Sequence, residues 1–274
     1  MTINCRGRLI DLSSPVVMGI LNLTPDSFYK GSRVTTEKQV LARARKMLAD
    51  GATILDLGGM SSRPGAKIIS ERTEVQRILP HVSNILKHLP NAIISIDTIH
   101  ASVAERCLKE GAHIINDISA GTYDKKMLKT VSAYKAPFIA MHMKGLPQNM
   151  QLNPRYKNVV TEVMDYLAKR ITACRKAGIV DVIIDPGFGF GKTLEHNYTL
   201  LRNLNYFTEL NVPVLAGLSR KGMIYKILET DSANALNGTT AANTVALLKG
   251  ARIVRVHDVK EATEAIKVVK ATSH

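Results

Sequence analysis

Tryptophan is absent from this sequence, and aromatic residues of all kinds make up only 5% of its 274 residues. Proteins that bind single-stranded nucleic acid commonly stack the bases on aromatic side chains. The basic residues are also scattered through helical stretches such as LARARKML rather than collected in one tail. Both features argue against a stacking platform for single strands.

Cysteine is scarce as well. Cys5, Cys107 and Cys174 lie far apart and form no CxxC or Cys/His cluster, so neither a disulfide framework nor a zinc site is indicated. No apolar run reaches the roughly 18 residues that a membrane span requires. The N-terminal segment carries Arg and Asp where a signal peptide needs an apolar centre. We therefore expect a cytoplasmic protein without a membrane partner.

Positive charge, by contrast, is abundant. The chain has 37 Lys and Arg residues against 23 Asp and Glu residues, which gives a net charge of +14. Such an excess favours an anionic partner, either a nucleic acid or a phosphorylated small substrate. Composition alone does not distinguish a nucleic-acid partner from a phosphorylated substrate.

A short β-branched apolar run, a polar loop and an amphipathic helical segment follow one another repeatedly along the chain. Helical stripes occupy segments such as 37–49 and 159–174. Strands this uniformly apolar are typical of a parallel sheet covered by helices, and eight units favour a closed barrel. We predict an α/β protein, a single (β/α)8 TIM barrel domain over residues 1–274, with residues 1–12 as an N-terminal hairpin that closes its bottom. The eight predicted strands are 16–21, 53–57, 92–96, 113–118, 137–141, 181–184, 212–216 and 252–256.

Polar and charged residues follow these strands, at the end where a barrel of this kind performs chemistry. A single Asp after a strand is more often a helix N-cap than a catalytic acid, but residues of this type at all eight ends favour a site. Acceptors for a donor-rich heterocycle, or for one metal ion, are Asp56, Asp97, Asp117 and Asp185. Candidates for binding an anion are Arg63, Arg220, Lys221, Arg255 and His257. A ligand with such a ring and a phosphate tail would engage both groups.

The segment PGFGFGKT, residues 186–193, nearly matches a phosphate-binding loop of the GxxxxGK[ST] type. Pro186 stands where the first glycine of that motif belongs, and proline lacks both the N–H and the conformational freedom that the loop needs. An ATPase is therefore disfavoured. The glycines instead allow the backbone to approach a flat ligand, with Phe188 or Phe190 as a stacking face, or with ordinary core packing as the alternative.

Eight motifs together resemble the dihydropteroate synthase family of pterin-binding barrel enzymes. They are VMGILNLTPDSF, ILDLGGMSSRPGA, ISIDT, IINDISAG, MHMKGLPQNMQ, IIDPGFGFGK, GLSRKGMI and NGTTAANTVALLKGARIVRVHDV, in family order over nearly the whole chain. The resemblance implies condensation of 7,8-dihydropterin-6-ylmethyl diphosphate with p-aminobenzoate, giving dihydropteroate and pyrophosphate. It also implies Mg2+ as a cofactor and a homodimer.

Site residues follow from the same resemblance. Asp97, Lys221 and Arg255 are the implied catalytic residues, and Asn22 is the implied Mg2+ ligand. The implied pterin site comprises Asp97, Asn116, Asp185, Lys221, Phe190 and Met141. The implied diphosphate site comprises Asn22, Ser62, Arg63, Arg255 and His257. The implied p-aminobenzoate site comprises Phe28, Ser62, Arg63, Pro64, Lys221 and Gly222, at the start of the helix that follows Arg220.

The sequence departs from the family pattern in three places. Met60 and Ser62 replace the Glu and Thr of a GGESTRPG motif, residues 29–33 are more basic than the family pattern, and Gly222 stands where Ser commonly follows SRK. These departures concern the affinity for the arylamine more than the reaction type.

Three other functions remain to be weighed. A pterin-binding methyltransferase would share the Asp97, Asn116 and Asp185 platform but has no need for cationic loops around a diphosphate. A nucleic-acid binder would depend on net charge alone, so we expect no nucleic-acid partner. A catalytically inactive relative with a binding role is the third.

Overall fold

A computed structural model describes residues 1–24, 36–61, 63 and 65–272. Its first two strands, β1 (Thr2–Cys5) and β2 (Arg8–Asp11), pair antiparallel. The Arg6 guanidinium donates to the carbonyl oxygens of Leu108 and Ala112 at 2.7 and 2.6 Å, which ties the hairpin to the loops below the barrel. The predicted N-terminal hairpin is confirmed.

Eight parallel strands follow and form a nearly closed barrel, as predicted. They pair in the order β8-β7-β6-β5-β4-β3-β10-β9, and a bridge between Ile184 and Val214 brings the two ends of the sheet together. The predicted strand over 212–216 is shorter than expected, since only Leu215–Ala216 is extended in the ladder. The strands are β3 (Val16–Asn22), β4 (Ala52–Gly58), β5 (Ile93–Asp97), β6 (Ile114–Asp117), β7 (Phe138–Met141), β8 (Val182–Asp185), β9 (Leu215–Ala216) and β10 (Ile253–Val256).

Helices connect the strands on the outside of the barrel. The helices predicted over 37–49 and 159–174 are observed with almost the same bounds. The side-chain oxygens of Thr36 and Asn158 cap their N-termini by accepting from backbone N–H groups of the first turn. The helices are α1 (Glu37–Ala49), α2 (Glu71–His88), α3 (Ala101–Glu110), α4 (Met127–Ala133), α5 (Val159–Lys176), α6 (Leu194–Arg202), α7 (Gly222–Tyr225), α8 (Leu236–Leu248) and α9 (Val259–Ala271).

The core has two parts. A larger cluster fills the layer between strands and helices, and a smaller one fills the barrel interior. The interior cluster combines strand residues such as Met18, Ile54 and Ile183 with Ile3 and Leu12 of the hairpin. Burial of each such side chain contributes about 1.5 to 3 kcal/mol. The hairpin therefore plugs one end of the barrel and leaves the carboxyl ends of the strands open.

Two further predictions bear on the fold. All three cysteines are buried and free, which confirms that they form no disulfide. None of the helices in the described part of the chain has the length and apolar character needed to cross a membrane. That residues 1–274 form a single domain stays a prediction.

Candidate active site

A cavity of about 480 Å³ opens at the carboxyl ends of the strands. Asn116, Asp185 and Met141 do not line it but lie buried in the last two positions of their strands. Phe28, Ser62 and Pro64 lie outside the described residues. The residues implied by the resemblance that do line the cavity are Asn22, Arg63, Asp97, Phe190, Lys221, Gly222, Arg255 and His257.

Arg255 joins two aspartates at one wall of this cavity. Its Nε donates to Asp56 Oδ2 at 2.6 Å and its Nη2 donates to Asp97 Oδ2 at 2.7 Å. The Asn116 amide also donates to Asp56 Oδ2, at 3.1 Å. Two carboxylates share one guanidinium, so with both ionised the group has a net negative charge. The sequence predicted Arg255 as a diphosphate ligand but did not foresee this ion pair.

The ionisation of the site reflects burial and the neighbouring charges. Burial raises the pKa of Asp97 to about 7, against the opposing effect of the Arg255 guanidinium. Burial likewise raises the pKa of Asp185 above its usual value, against the effect of Lys221. The pKa of Lys221 falls to about 8, because burial disfavours the ammonium more than Asp185 stabilises it. The charges of Asp97 and Lys221 therefore change near neutral pH.

The glycine-rich segment after β8 is held by side chains at each of its successive carbonyl groups. Gly187 and Phe190 accept from Lys192 Nζ at 2.8 and 3.0 Å, and Phe188 accepts from Lys221 Nζ. Gly189 accepts from Gln151 and Gly191 accepts from the Tyr156 hydroxyl. A loop restrained in this way is a rigid wall for a flat ligand.

Glycine is required in this segment at residue 187. It has a φ of +71°, and a Cβ there would lie 1.9 Å from the carbonyl oxygen of His142. The Lys192 ammonium is buried among these carbonyls and also contacts His142 Nδ1 at 2.9 Å. The lysine of this GK pair therefore donates to backbone oxygens, whereas the lysine of a phosphate-binding loop reaches the phosphates. Lys192 was missed as a site residue, although the GK pair marked its position.

The two phenylalanines of the segment have different surroundings. Phe188 is fully buried, and its ring packs in the large core cluster. Phe190 is half-buried, and the Lys221 ammonium lies 4.9 Å from the centre of its ring. Phe190 also packs with Met60 and Met141 in a small apolar cluster. Met60 suits that cluster, where a glutamate would bury a charge.

Three candidate ligand residues from the strand ends make hydrogen bonds to other groups of the protein. Asp117 accepts from the backbone N–H groups of Ser119 and Gly121 at 2.7 and 2.8 Å, so it caps its own loop instead of facing a heterocycle. Arg220 forms a paired contact with Asp258 at 2.8 and 3.0 Å. Its φ of +53° is a strained conformation that these contacts hold in place.

His257 is the third of these residues. Its Nδ1 lies 3.0 Å from Ser219 Oγ. Burial and the nearby Arg255 lower its pKa to about 3. His257 is therefore a neutral hydrogen-bonding group at neutral pH.

The residues beside Gly58 can be tested for a fit to Mg2+. A Cβ at Gly58 would lie 3.9 Å from both Asn22 Oδ1 and Asp97 Oδ2, so two oxygen ligands flank one small space. In the described ranges, no three or more His, Cys, Asp and Glu side chains are grouped to hold a metal ion. Mg2+ commonly takes one or two protein oxygens, with water and substrate phosphates as the remaining ligands. The oxygens present fit an ion held in that way.

Fold and site together define a barrel of the enzyme type, with a charged cavity at the carboxyl ends of its strands. The family model for pterin binding enzymes matches residues 18–257. The chain belongs to this pterin-binding enzyme family, and within it to the dihydropteroate synthases, which are transferases.

The similarity extends over full-length relatives. The Escherichia coli K12 dihydropteroate synthase is 43% identical over 274 residues, which cover 99% of this chain and 96% of that protein. The Yersinia pestis dihydropteroate synthase, in a structure with a sulfonamide drug complex, is 41% identical with a TM-score of 0.96 and 99% coverage of both chains. The Thermus thermophilus enzyme in complex with 4-aminobenzoate is 40% identical with a TM-score of 0.89, also covering 99% of both chains.

Proposed function

We propose that this protein condenses 7,8-dihydropterin-6-ylmethyl diphosphate with p-aminobenzoate to give 7,8-dihydropteroate and pyrophosphate. The observation that carries the proposal is the pairing of Arg255 with Asp56 and Asp97 at the wall of the cavity. This group offers fixed negative charge to a cationic pterin and a guanidinium to a departing diphosphate. Full-length similarity to dihydropteroate synthases supports the same reaction.

The pterin is held by acceptors and by one aromatic face. Asp185 accepts from the amino and ring N–H groups at the guanidine-like edge of the pterin, and Asn116 and Asp97 contact the rest of the ring. Lys221 donates to the ring, while Phe190 and Met141 pack against it. Burial of Asp185 at the end of β8 supports this role, because a buried carboxylate requires hydrogen-bond donors.

The diphosphate is bound by Asn22, Ser62, Arg63, Arg255 and His257. Asn22 would hold Mg2+, and the bound ion would neutralise charge on the leaving group. The neutral imidazole of His257 donates one hydrogen bond. Ser62, Arg63, Phe28, Pro64, Lys221 and Gly222 surround p-aminobenzoate.

The reaction begins with breakage of the bond between the pterin methylene carbon and the diphosphate oxygen. The electron pair leaves with pyrophosphate, and the positive charge spreads over the pterin, where the Asp97 carboxylate stabilises it. The arylamine nitrogen then forms the new carbon–nitrogen bond and releases a proton to solvent. No nucleophilic side chain takes part in either step.

We also propose that the chain is a cytoplasmic homodimer. Buried, free thiols in all three cysteines support a reducing compartment. Exposed apolar side chains on neighbouring helices, Val245 and Leu248 of α8 and Val268 of α9, support an interface on that side of the barrel. Light scattering on the purified protein tests this: we expect twice the mass of the chain, and a monomer at micromolar concentration contradicts the proposal.

A pyrophosphate-release assay with single-substrate omissions tests the reaction. We expect release only when the pterin diphosphate, p-aminobenzoate and Mg2+ are all present. Release that continues without p-aminobenzoate indicates a hydrolase, and pterin binding without any release indicates an inactive relative. Either result contradicts the proposed reaction.

A further inference from the structure

Gly222 and Tyr225 begin and end the single turn of α7 and share one side of it. A Cβ at Gly222 would lie 3.4 Å from the Tyr225 hydroxyl oxygen and 3.6 Å from Cζ of the same ring. The tyrosine therefore folds back over the glycine, into space that a larger residue at 222 would share. Glycine at position 222, where the family commonly has serine, thus leaves the space that the Tyr225 ring occupies.

This arrangement lies on the cavity wall. Gly222, Tyr225 and Lys226 all line the cavity, and Lys226 Cε lies 3.9 Å from the same Cβ position. Among the described lining residues the only carboxylate is Asp97, which is already paired with Arg255. The part of the cavity next to α7 thus presents a phenol and an ammonium, a combination suited to a carboxylate.

We propose that the Tyr225 hydroxyl, with the Lys226 ammonium beside it, binds the carboxylate of the arylamine substrate and supplies the hydroxyl that Gly222 lacks. This inference rests on the proposed function. The phenolic O–H donates to a carboxylate oxygen. The four-residue α7 is too short to act through its dipole, so side chains determine the affinity here.

Tyr225→Phe tests the proposal because it removes only the hydroxyl. The assay uses two arylamines of similar shape, p-aminobenzoate and 4-methylaniline, which has no carboxylate. We expect the KM for p-aminobenzoate to rise by about 10-fold, as for loss of a hydrogen bond to a charged group. We expect kcat, the KM for the pterin diphosphate and kcat/KM for 4-methylaniline to stay within about twofold.

Tyr198→Phe is the matched control. The Tyr198 hydroxyl donates to the Met223 carbonyl oxygen at 2.9 Å and thus supports α7 without lining the cavity. We expect this variant to leave the preference for p-aminobenzoate over 4-methylaniline unchanged. A second variant, Gly222→Ser in the Tyr225→Phe background, restores a hydroxyl at the same place, and we expect it to recover most of the lost affinity.

Three results would overturn the inference. The first is an unchanged KM for p-aminobenzoate in Tyr225→Phe. The second is an equal loss with both arylamines, which indicates a structural role. The third is no recovery by Gly222→Ser. In these cases the wild-type protein still forms product, whereas failure of the proposed function itself appears as no arylamine-dependent turnover in the wild type, which ends the inference as well.

Discussion

Arg255 on β10 lies 2.7 Å from Asp97 on β5 and holds that carboxylate against the cavity wall. The contact joins a residue proposed to stabilise the pterin cation to one proposed to bind the leaving group. In the proposed reaction, the residue that stabilises the cation and the residue that binds the leaving diphosphate thus belong to one ion pair.

Asp97→Asn should slow catalysis far more than it weakens substrate binding. An amide retains hydrogen bonds but cannot offset developing positive charge, so we expect kcat to fall by about 100-fold or more. Steady-state kinetics measures this, and calorimetric titration with a pterin analogue measures binding. Asp185→Asn is the comparison variant and should mainly weaken pterin binding. If Asp97→Asn has a normal kcat and only a raised KM, the Asp97 charge does not stabilise the cation.

The pH dependence of kcat/KM should be bell-shaped, because it reports ionisation in the free enzyme. Activity requires ionised Asp97, whose pKa of about 7 sets the acid limb, and protonated Lys221, whose pKa of about 8 sets the alkaline limb. Lys221→Arg keeps a cation at all accessible pH values. We expect its remaining activity to lose the alkaline limb. An unchanged alkaline limb in that variant contradicts the assignment to Lys221.

Lys192→Met should damage both stability and pterin affinity. It leaves the carbonyl oxygens of Gly187 and Phe190 and the His142 ring nitrogen without the Lys192 donor. Loss of these buried contacts should cost about 3 kcal/mol of unfolding free energy or more. We expect the KM for the pterin diphosphate to rise, since the loop that carries Phe190 is released. Lys267→Met, at an exposed lysine of α9 away from the loop, is the control and should change neither quantity appreciably.

His100 and Glu74 form a buried pair behind the site, with Nδ1 and Oε2 2.7 Å apart. The bond to Glu74 raises the pKa of His100 above its usual value. The pair therefore stabilises the fold fully below the unfolded-state pKa of about 6.5 and loses this effect as pH rises through the higher folded-state pKa. We expect the difference in Tm between wild type and His100→Gln to shrink from pH 6 to pH 9. A constant difference contradicts a raised pKa of His100 in the folded protein.

The barrel could be predicted because its strands and helices have different apolar periodicities. The place of the site could be predicted because the polar residues follow the strands, and the carboxyl ends of all strands lie at one end of a barrel. The strand pattern by itself could not distinguish Asp97 from Asp117, since each follows an apolar strand, and only the family resemblance selected Asp97. Only the fold shows that Asp117 turns back to the amides of Ser119 and Gly121. The pairing of Arg255 with Asp56 likewise depends on barrel closure, which brings residues 199 positions apart into contact. Tyr225 carried no motif and became visible only through its contact with Gly222.

The central claim is that this cavity transfers a pterinylmethyl group to an arylamine. The most direct measurement is a time course that quantifies dihydropteroate by mass spectrometry and pyrophosphate in the same samples. The account predicts equal amounts of both products at every time point, and neither when one substrate is omitted. Pyrophosphate without dihydropteroate, or no product from a folded protein that binds pterin, would contradict it.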